Sequence, residues 1–137
     1  MSFDESRSDS PDGNHHATLT FAGEIRFGPC YLTLQMDDRD FGQRLFGQCV
    51  LWSPDSSIAC LQEWHTVDYG VGPITSLLLV RPRDWTYFTF PPIRKGFASP
   101  NTFVNDSLVL RHSERQTNTT VDRETDLSQI DAWLPLQ

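Results

Sequence analysis

The sequence lacks a long hydrophobic run. No stretch approaches the roughly twenty consecutive apolar residues that a membrane-spanning helix needs. The start of the chain, MSFDESRSDSPDGNHH, has neither the positively charged beginning nor the apolar centre of a secretory signal. Together these absences predict a cytoplasmic protein that makes no contact with a membrane.

Cysteine is scarce, and its placement argues against a metal centre. Cys30, Cys49 and Cys60 form no C-x-x-C pair, and bridging two of them would leave one over. All three lie in apolar runs, where a free thiol behaves as a small buried hydrophobe. We therefore expect reduced core cysteines and no metal ligands. The pair His15 and His16 has no carboxylate or Cys cluster at ligand spacing, so a solvated tail is expected there.

The chain also lacks the motifs of common catalytic and cofactor sites. The patterns G-x-x-x-x-G-K-[ST], G-x-G-x-x-G, H-E-x-x-H and G-x-S-x-G do not occur. No cofactor is therefore expected.

Basic residues are outnumbered, with 11 Lys and Arg against 18 Asp and Glu, for a formal charge of -7. Residues 1–16 and 113–137 each carry -3, and the middle carries -1. Phosphate backbones require clustered cations, so nucleic acid is not the expected partner. The one basic grouping, Arg81, Arg83, Arg94 and Lys95, is interrupted by Asp84 and is expected to be solvated. A basic protein is the better electrostatic match.

What the sequence does contain is a series of short apolar or alternating segments separated by Gly, Pro, Asn and Asp. The fold class predicted is mainly β, a single domain over 17–137 of antiparallel meander hairpins arranged as a blade-like sheet, a sandwich or an open barrel. Residues 1–16 are predicted to be a disordered acidic arm. Leu127, Ile130 and Leu134 at helical spacing favour a short terminal helix, with a strand as the alternative. The predicted strands cover 18–27, 30–36, 46–52, 58–64, 75–80, 85–90, 102–104 and 108–112.

One segment resembles a known family. LWSPDSSIACLQEW is similar to the inner hairpin of a β-propeller blade of the TolB or WD-repeat kind, and TSLLLVRPRDWTYFTF resembles the outer hairpin. The resemblance covers about a third of the chain, from Leu45 to Phe90. A closed propeller needs at least four blades of about forty residues each. The resemblance therefore implies blade-like meanders and no closed propeller.

The stretch EWHTVDYGVG supplies the main candidate site. Glu63, His65, Asp68 and Tyr69 are residue types that can transfer protons, and strand geometry puts Glu63 and His65 on one face. No nucleophile motif accompanies them, so catalysis is the lesser hypothesis. Recognition is favoured for the loop as a unit. The alternative is that the loop only connects two strands and that Trp64 belongs to the core.

For recognition, the predicted contact residues combine aromatic and acidic side chains, which suit a basic partner. The set comprises Glu63, Trp64, His65, Asp68, Tyr69 and Val71 together with Asp37, Asp38 and Asp40 of the acidic turn DDRD.

Three classes of function are compatible with these features. The leading hypothesis is a non-catalytic binding protein, most concretely an immunity protein that neutralises a basic bacterial toxin, such as a nuclease effector, by covering it. The second is a small enzyme that uses Glu63, His65 or Asp68. The third is a structural adaptor that pairs through open sheet edges. We expect a monomer or weak dimer.

Overall fold

Thirteen strands and one short 3-10 helix form the part of the chain that the computed structural model describes, residues 5–25, 29–68, 70–114 and 118–136. The strands are β1 (Glu5–Asp9), β2 (His16–Glu24), β3 (Cys30–Met36), β4 (Arg39–Asp40), β5 (Leu45–Trp52), β6 (Ala59–Thr66), β7 (Ile74–Arg81), β8 (Thr86–Thr89), β9 (Ile93–Arg94), β10 (Gly96–Val104), β11 (Ser107–Glu114), β12 (Thr119–Asp126) and β13 (Leu134–Pro135). Helix η1 (Leu127–Gln129) lies between β12 and β13. The prediction of a mainly β, single-domain chain is confirmed.

The strands form two antiparallel sheets. The larger has the order β1-β2-β3-β5-β6-β7-β8-β13, with β4 added to β3 and β9 added to β7. The smaller has the order β10-β11-β12. Neither closes into a barrel. Strands β5 to β8, the segment compared with a propeller blade, are neighbours in sequence order and so form a meander.

Strands β6 and β7 are central because side chains on both of their faces are buried. Successive side chains of a strand point to opposite faces. Leu61 and Leu78 therefore join one core cluster, which β2 and β3 also line, while Cys60 and Leu77 join a second cluster. Ala98, Leu108 and the C-terminal segment contribute to the second cluster. The apolar runs 59–61 of β6 and 77–80 of β7 are explained by this double coverage.

The N-terminal region differs from the prediction of a disordered arm. Residues 5–9 form β1 and pair along their whole length with β2. The Trp52 indole N–H donates to the Ser8 hydroxyl at 3.1 Å, which ties β1 to the main sheet. Backbone groups make the β1 ladder, so a strand at a sheet edge needs no apolar side chains and leaves no periodic signal in the sequence.

The C-terminal half also contains more strand than the sequence indicated. Strand β10 begins at Gly96, inside a predicted loop, and β12 arises from the polar stretch TTVDRETD. The predicted terminal helix is reduced to the three residues of η1, and Leu134 pairs with Tyr87 instead. Of the three predicted core cysteines only Cys60 is buried; Cys30 is half-buried and Cys49 is exposed.

Candidate functional site

The loop after β6 is held by its own polar groups. The Asp68 side chain accepts the Gly70 backbone N–H at 2.8 Å, and its backbone carbonyl accepts the Gly72 N–H at 3.1 Å. His65 Nε2 lies 2.6 Å from the Ser76 hydroxyl oxygen. His65 and Asp68 are exposed, and Val71 is 48% exposed. Tyr69, also predicted here, lies outside the described residues.

Glu63 does not belong to this exposed surface. It shares a strand face with the core residue Leu61, and only 7% of Glu63 is exposed. Arg44 Nε donates to one carboxylate oxygen at 2.7 Å and Arg44 Nη2 donates to the other at 2.8 Å. Both oxygens are therefore already engaged. Glu63 therefore lies in a buried ion pair with Arg44 and not on the exposed surface of the loop.

Trp64 is also an interior residue. This agrees with the alternative given above, in which the loop only connects two strands and Trp64 belongs to the core. It is 4% exposed, and its indole N–H donates to Gln62 Oε1 at 2.9 Å. Its ring centroid lies 5.6 Å from that of Phe97 and 6.1 Å from that of Tyr31. These contacts join β6 to β10 through Phe97 and to β3 through Tyr31, so Trp64 presents little surface to a partner.

Arg94 and Lys95 lie near the exposed part of the loop, from His65 to Val71. Arg94 pairs with Ile74 across the sheet, and the Gly96 N–H bonds to the Pro73 carbonyl at 3.3 Å, which brings the intervening Lys95 beside the loop. The loop that contains the exposed Asp68 therefore also has cationic side chains along its border. This end of the sheet therefore carries both signs of charge on few residues, whereas the aspartates described below outnumber the arginines beside them.

The other predicted acidic group, the turn from Asp37 to Asp40, is far from the loop. Asp37 and Asp38 line a cleft of about 520 Å³ together with Pro82 and Trp85, which follow β7, whereas the loop precedes β7. Eight residues of β7 at about 3.3 Å each separate the two groups by roughly 25 Å. The structure does not bring them together.

Within that turn, Asp37 organises the start of β2. Its φ is 52°, in the left-handed region, and its carboxylate lies 2.7 Å from His15 Nδ1 while accepting the His16 backbone N–H at 2.9 Å. The histidines are thus tied to Asp37 and are not a solvated tail. Asp38 and Asp40 are exposed, and Asp40 accepts the Gly42 N–H at 2.8 Å.

Several turns meet at the Asp37 end of the sheet. The register pairs Trp52 with Ala59 and Arg81 with Thr86, so the β5–β6 and β7–β8 turns lie side by side. The Asp12 backbone N–H donates to the Ser56 hydroxyl at 2.9 Å and attaches the β1–β2 turn to them.

The second sheet contributes to the same end. The Leu127 N–H donates to the Asp106 carbonyl at 2.9 Å, which joins the start of η1 to the β10–β11 turn. A cleft of about 920 Å³ lies between this pair of segments and the turns after β5 and β7. The C-terminal residues Ile130 and Trp133 also line it.

Aspartate dominates these turns, and we call the region the acidic turn end. It contains seven carboxylates against three guanidinium groups, a local charge of -4 out of the total of -7. The aspartates are Asp12, Asp37, Asp38, Asp55, Asp84, Asp106 and Asp126, and the arginines are Arg39, Arg81 and Arg83.

Four of these carboxylates are stabilised in the charged form. Hydrogen bonds from the hydroxyls of Ser10, Ser57, Thr86 and Ser128 lower the pKa values of Asp12, Asp55, Asp84 and Asp126, respectively, below the usual range. Donors to an ionised carboxylate favour that form. The negative charge of these four side chains therefore persists at neutral and mildly acidic pH.

Sequence reasoning identified only Asp37 and Asp38 in this group. A local signal for others was present, because Asp55, Asp84 and Asp126 each stand two residues before a Ser or Thr that donates to them. The pattern Asp-x-Ser/Thr is typical of turns capped by an Asp side chain. That signal reveals the turns, whereas their convergence depends on the sheet register.

Comparison of the chain with protein-family models, curated proteins and solved structures found no match. Within the described ranges, no three His, Cys, Asp or Glu side chains are grouped so as to hold a metal ion. The only helix in those ranges has three residues, and none is long and apolar enough to cross a membrane.

Proposed function

We propose that the chain is a non-catalytic binding protein, most concretely an immunity protein that neutralises a basic bacterial toxin, such as a nuclease effector, by direct contact. The observation that carries the proposal is the convergence of seven aspartates on the acidic turn end. The contact surface is accordingly moved from the His65–Val71 loop, which Arg94 and Lys95 border, to the end that contains Asp37 and Asp38.

The physical basis is electrostatic complementarity. A rigid surface with excess charge of one sign steers an oppositely charged partner and raises the association rate, and this effect falls with ionic strength. Hydrogen bonds within the turns hold Asp12, Asp55 and Asp126 in place, so binding requires little ordering of side chains.

The test begins with affinity capture of the chain from its native host and identification of a stoichiometric partner. Expression of that partner alone should stop the growth of a bacterial host, and co-expression of the chain should restore growth. The double variant Asp38→Lys/Asp106→Lys should lower the association rate at least tenfold at low salt. Neither side chain makes a hydrogen bond within the described residues, so the fold should survive.

The matched control is Glu5→Lys/Glu24→Lys, which changes the net charge equally on exposed strand positions at the opposite end of β1 and β2. It should retain most of the association rate. Equal losses in the two double variants would contradict a localised contact surface. A captured partner that is harmless to the host would refute the immunity function.

The adaptor hypothesis is favoured by a different observation, the open edge of β12. In the described part of the chain β12 pairs with β11 alone, and its side chains are nearly all exposed. Asp122, Glu124 and Asp126 share one face of β12. If two copies paired antiparallel through the middle of this strand, acidic side chains of one copy would lie opposite acidic side chains of the other, which is unfavourable. This edge is therefore better suited to a strand from a different, basic protein than to self-association. A second copy bound through β12, detected by light scattering, would contradict this assignment.

The enzyme hypothesis draws less support from the geometry. Of its three residues, Glu63 is bound at both oxygens by Arg44, and Asp68 accepts a backbone N–H of its own loop. His65 is engaged with Ser76.

A further inference from the structure

The larger of the two clefts described at the acidic turn end has an apolar floor and a charged rim. Its volume is about 920 Å³, within the range of pockets that hold small ligands or peptide side chains. The floor consists of the side chains of Ile58, Phe103, Leu127, Ile130 and Trp133. Apart from Ile58, these side chains are only half-buried, so a ligand that covers them gains hydrophobic free energy.

The rim supplies acceptors that the folded chain does not use. Within the described residues, the Asp106 carboxylate accepts no side-chain or backbone hydrogen bond, although its backbone carbonyl is engaged with Leu127. Asp55 uses one carboxylate oxygen for Ser53 and Ser57, and no other residue of the described ranges donates to its second oxygen. Two carboxylates with spare acceptor capacity therefore stand beside the apolar floor.

The cations of the cleft differ in how far they are already engaged. The Arg81 guanidinium lies 4.1 Å from the centroid of the Trp133 ring, and its Nη2 lies 3.4 Å from Asp84. Arg81 is thus part of the wall. Arg83 is exposed on the β7–β8 turn and can donate to a carbonyl oxygen. A peptide backbone that lies between Arg83 and Asp106 could accept a hydrogen bond from the Arg83 guanidinium and donate one to the Asp106 carboxylate.

We propose that this cleft receives a short extended segment of the basic partner in which an arginine stands next to a large aliphatic residue. The aliphatic side chain covers Phe103 and Ile130, and the guanidinium binds Asp106 and the free oxygen of Asp55. An arginine fits because its apolar stem packs on the floor while its planar head bonds carboxylates at the rim. The inference rests on the proposed function for the identity of the partner, but the chemistry of the cleft can be tested alone.

The test uses three peptides on the full chain, followed by two-dimensional amide NMR. Acetyl-Arg-Leu-Arg-amide is the ligand probe, acetyl-Arg-Gly-Arg-amide lacks the apolar anchor, and acetyl-Glu-Leu-Glu-amide reverses the charge. The first should bind with a dissociation constant on the order of 1 mM and shift the signals of Asn105, Ile130 and the Trp133 indole. The other two should bind at least fivefold more weakly.

Two variants of equal charge separate a local contact from the general field. Asp106→Asn should raise the dissociation constant of acetyl-Arg-Leu-Arg-amide about threefold, which is the effect of losing one partly exposed charge pair. Asp38→Asn should raise that dissociation constant by less than about 1.5-fold. Ile130→Glu should abolish binding, and if it unfolds the chain, Asp106→Lys serves instead. Equal effects of the two Asn variants, equal affinity for the Leu and Gly peptides, or shifts confined to another surface would overturn the proposal.

The outcomes also separate this inference from the proposed function. Peptide binding by a chain that protects no host from its captured partner would support the cleft and refute the immunity function. If the chain binds no peptide, and the Asp106→Lys and Ile130→Glu variants still protect the host from the partner, the proposed role of the cleft is overturned and the immunity function is not.

Discussion

Replacement of Arg44 by Met should strongly destabilise the protein, because it leaves the Glu63 carboxylate buried without its partner. The two side chains form two hydrogen bonds of 2.7 Å and 2.8 Å, and only 9% of the Glu63 side chain is exposed. The Glu63 interaction is also the main reason that the pKa of Arg44 is raised above its usual range. Met approximates the length of the arginine stem, so the change removes mainly the charge.

The magnitude follows from the burial of the pair. Removal of one partner from a buried ion pair typically costs 3–5 kcal/mol, whereas an exposed pair contributes at most about 1 kcal/mol. The Arg44 side chain is 36% exposed, so we expect a loss of about 2–4 kcal/mol. That is a large part of the roughly 5–15 kcal/mol typical of a folded domain, and it corresponds to a melting temperature lowered by about 5–15 °C.

The assay is urea denaturation of the wild type and three variants, followed by tryptophan fluorescence and far-ultraviolet circular dichroism. The double variant Arg44→Met/Glu63→Leu should recover most of the loss, because two apolar side chains replace a pair that required desolvation. Arg111→Met is the control, since its pair with Asp122 is also made through two hydrogen bonds, of 2.9 Å and 3.2 Å, but is exposed. If Arg44→Met and Arg111→Met shift the midpoint equally, burial does not make the Arg44 pair special and the reasoning fails.

Two further predictions concern the carboxylates and thiols. The pKa of Asp55 is lowered chiefly by the Ser57 hydroxyl, so its contribution to stability is present above its unfolded pKa and is lost as the pH falls through the lower folded value. Asp55→Asn should therefore show a shallower decline in stability between about pH 5 and pH 2 than the wild type in urea titrations, and parallel curves would contradict this. A disulfide reagent at pH 8 should label exposed Cys49 quickly, whereas burial raises the pKa of Cys60 and should restrict its labelling to unfolded chains. Loss of the fast phase in Cys49→Ser is the control, and rapid native labelling of Cys60 would refute its assigned burial.

Much of the fold could be predicted from local patterns. Period-two alternation located β2 and β3, and segments that are apolar on both faces located β5 and β6, because both patterns report how a single strand is covered. Strand β5 is covered less fully than this pattern predicts, since Gln48 and Cys49 are exposed. Strands β1 and β12 gave no such pattern. Their side chains are polar, and their place in the sheets depends on backbone hydrogen bonds to a neighbour, which any sequence without proline can make.

The candidate site was less accessible to sequence reasoning. Glu63 and His65 are separated by one residue and were expected to act together, yet one is bound to Arg44 in the interior and the other is exposed. Whether a given side chain of β6 is covered, and by which residue, depends on partners such as Arg44, which is almost twenty positions away in the chain. Local spacing could not reveal it.

The sequence by itself determined that this protein is mainly β, acidic and divided by polar turns, since alternation, net charge and turn residues are properties of short segments. Only the tertiary structure decided where the charge is concentrated. Asp12, Asp55 and Asp106 are far apart in the chain, and the register of the large sheet together with the packing of β10 on β6 and β7 brings their turns to one end. Strand pairing is a long-range interaction, so the surface it creates cannot be inferred from any single stretch of sequence.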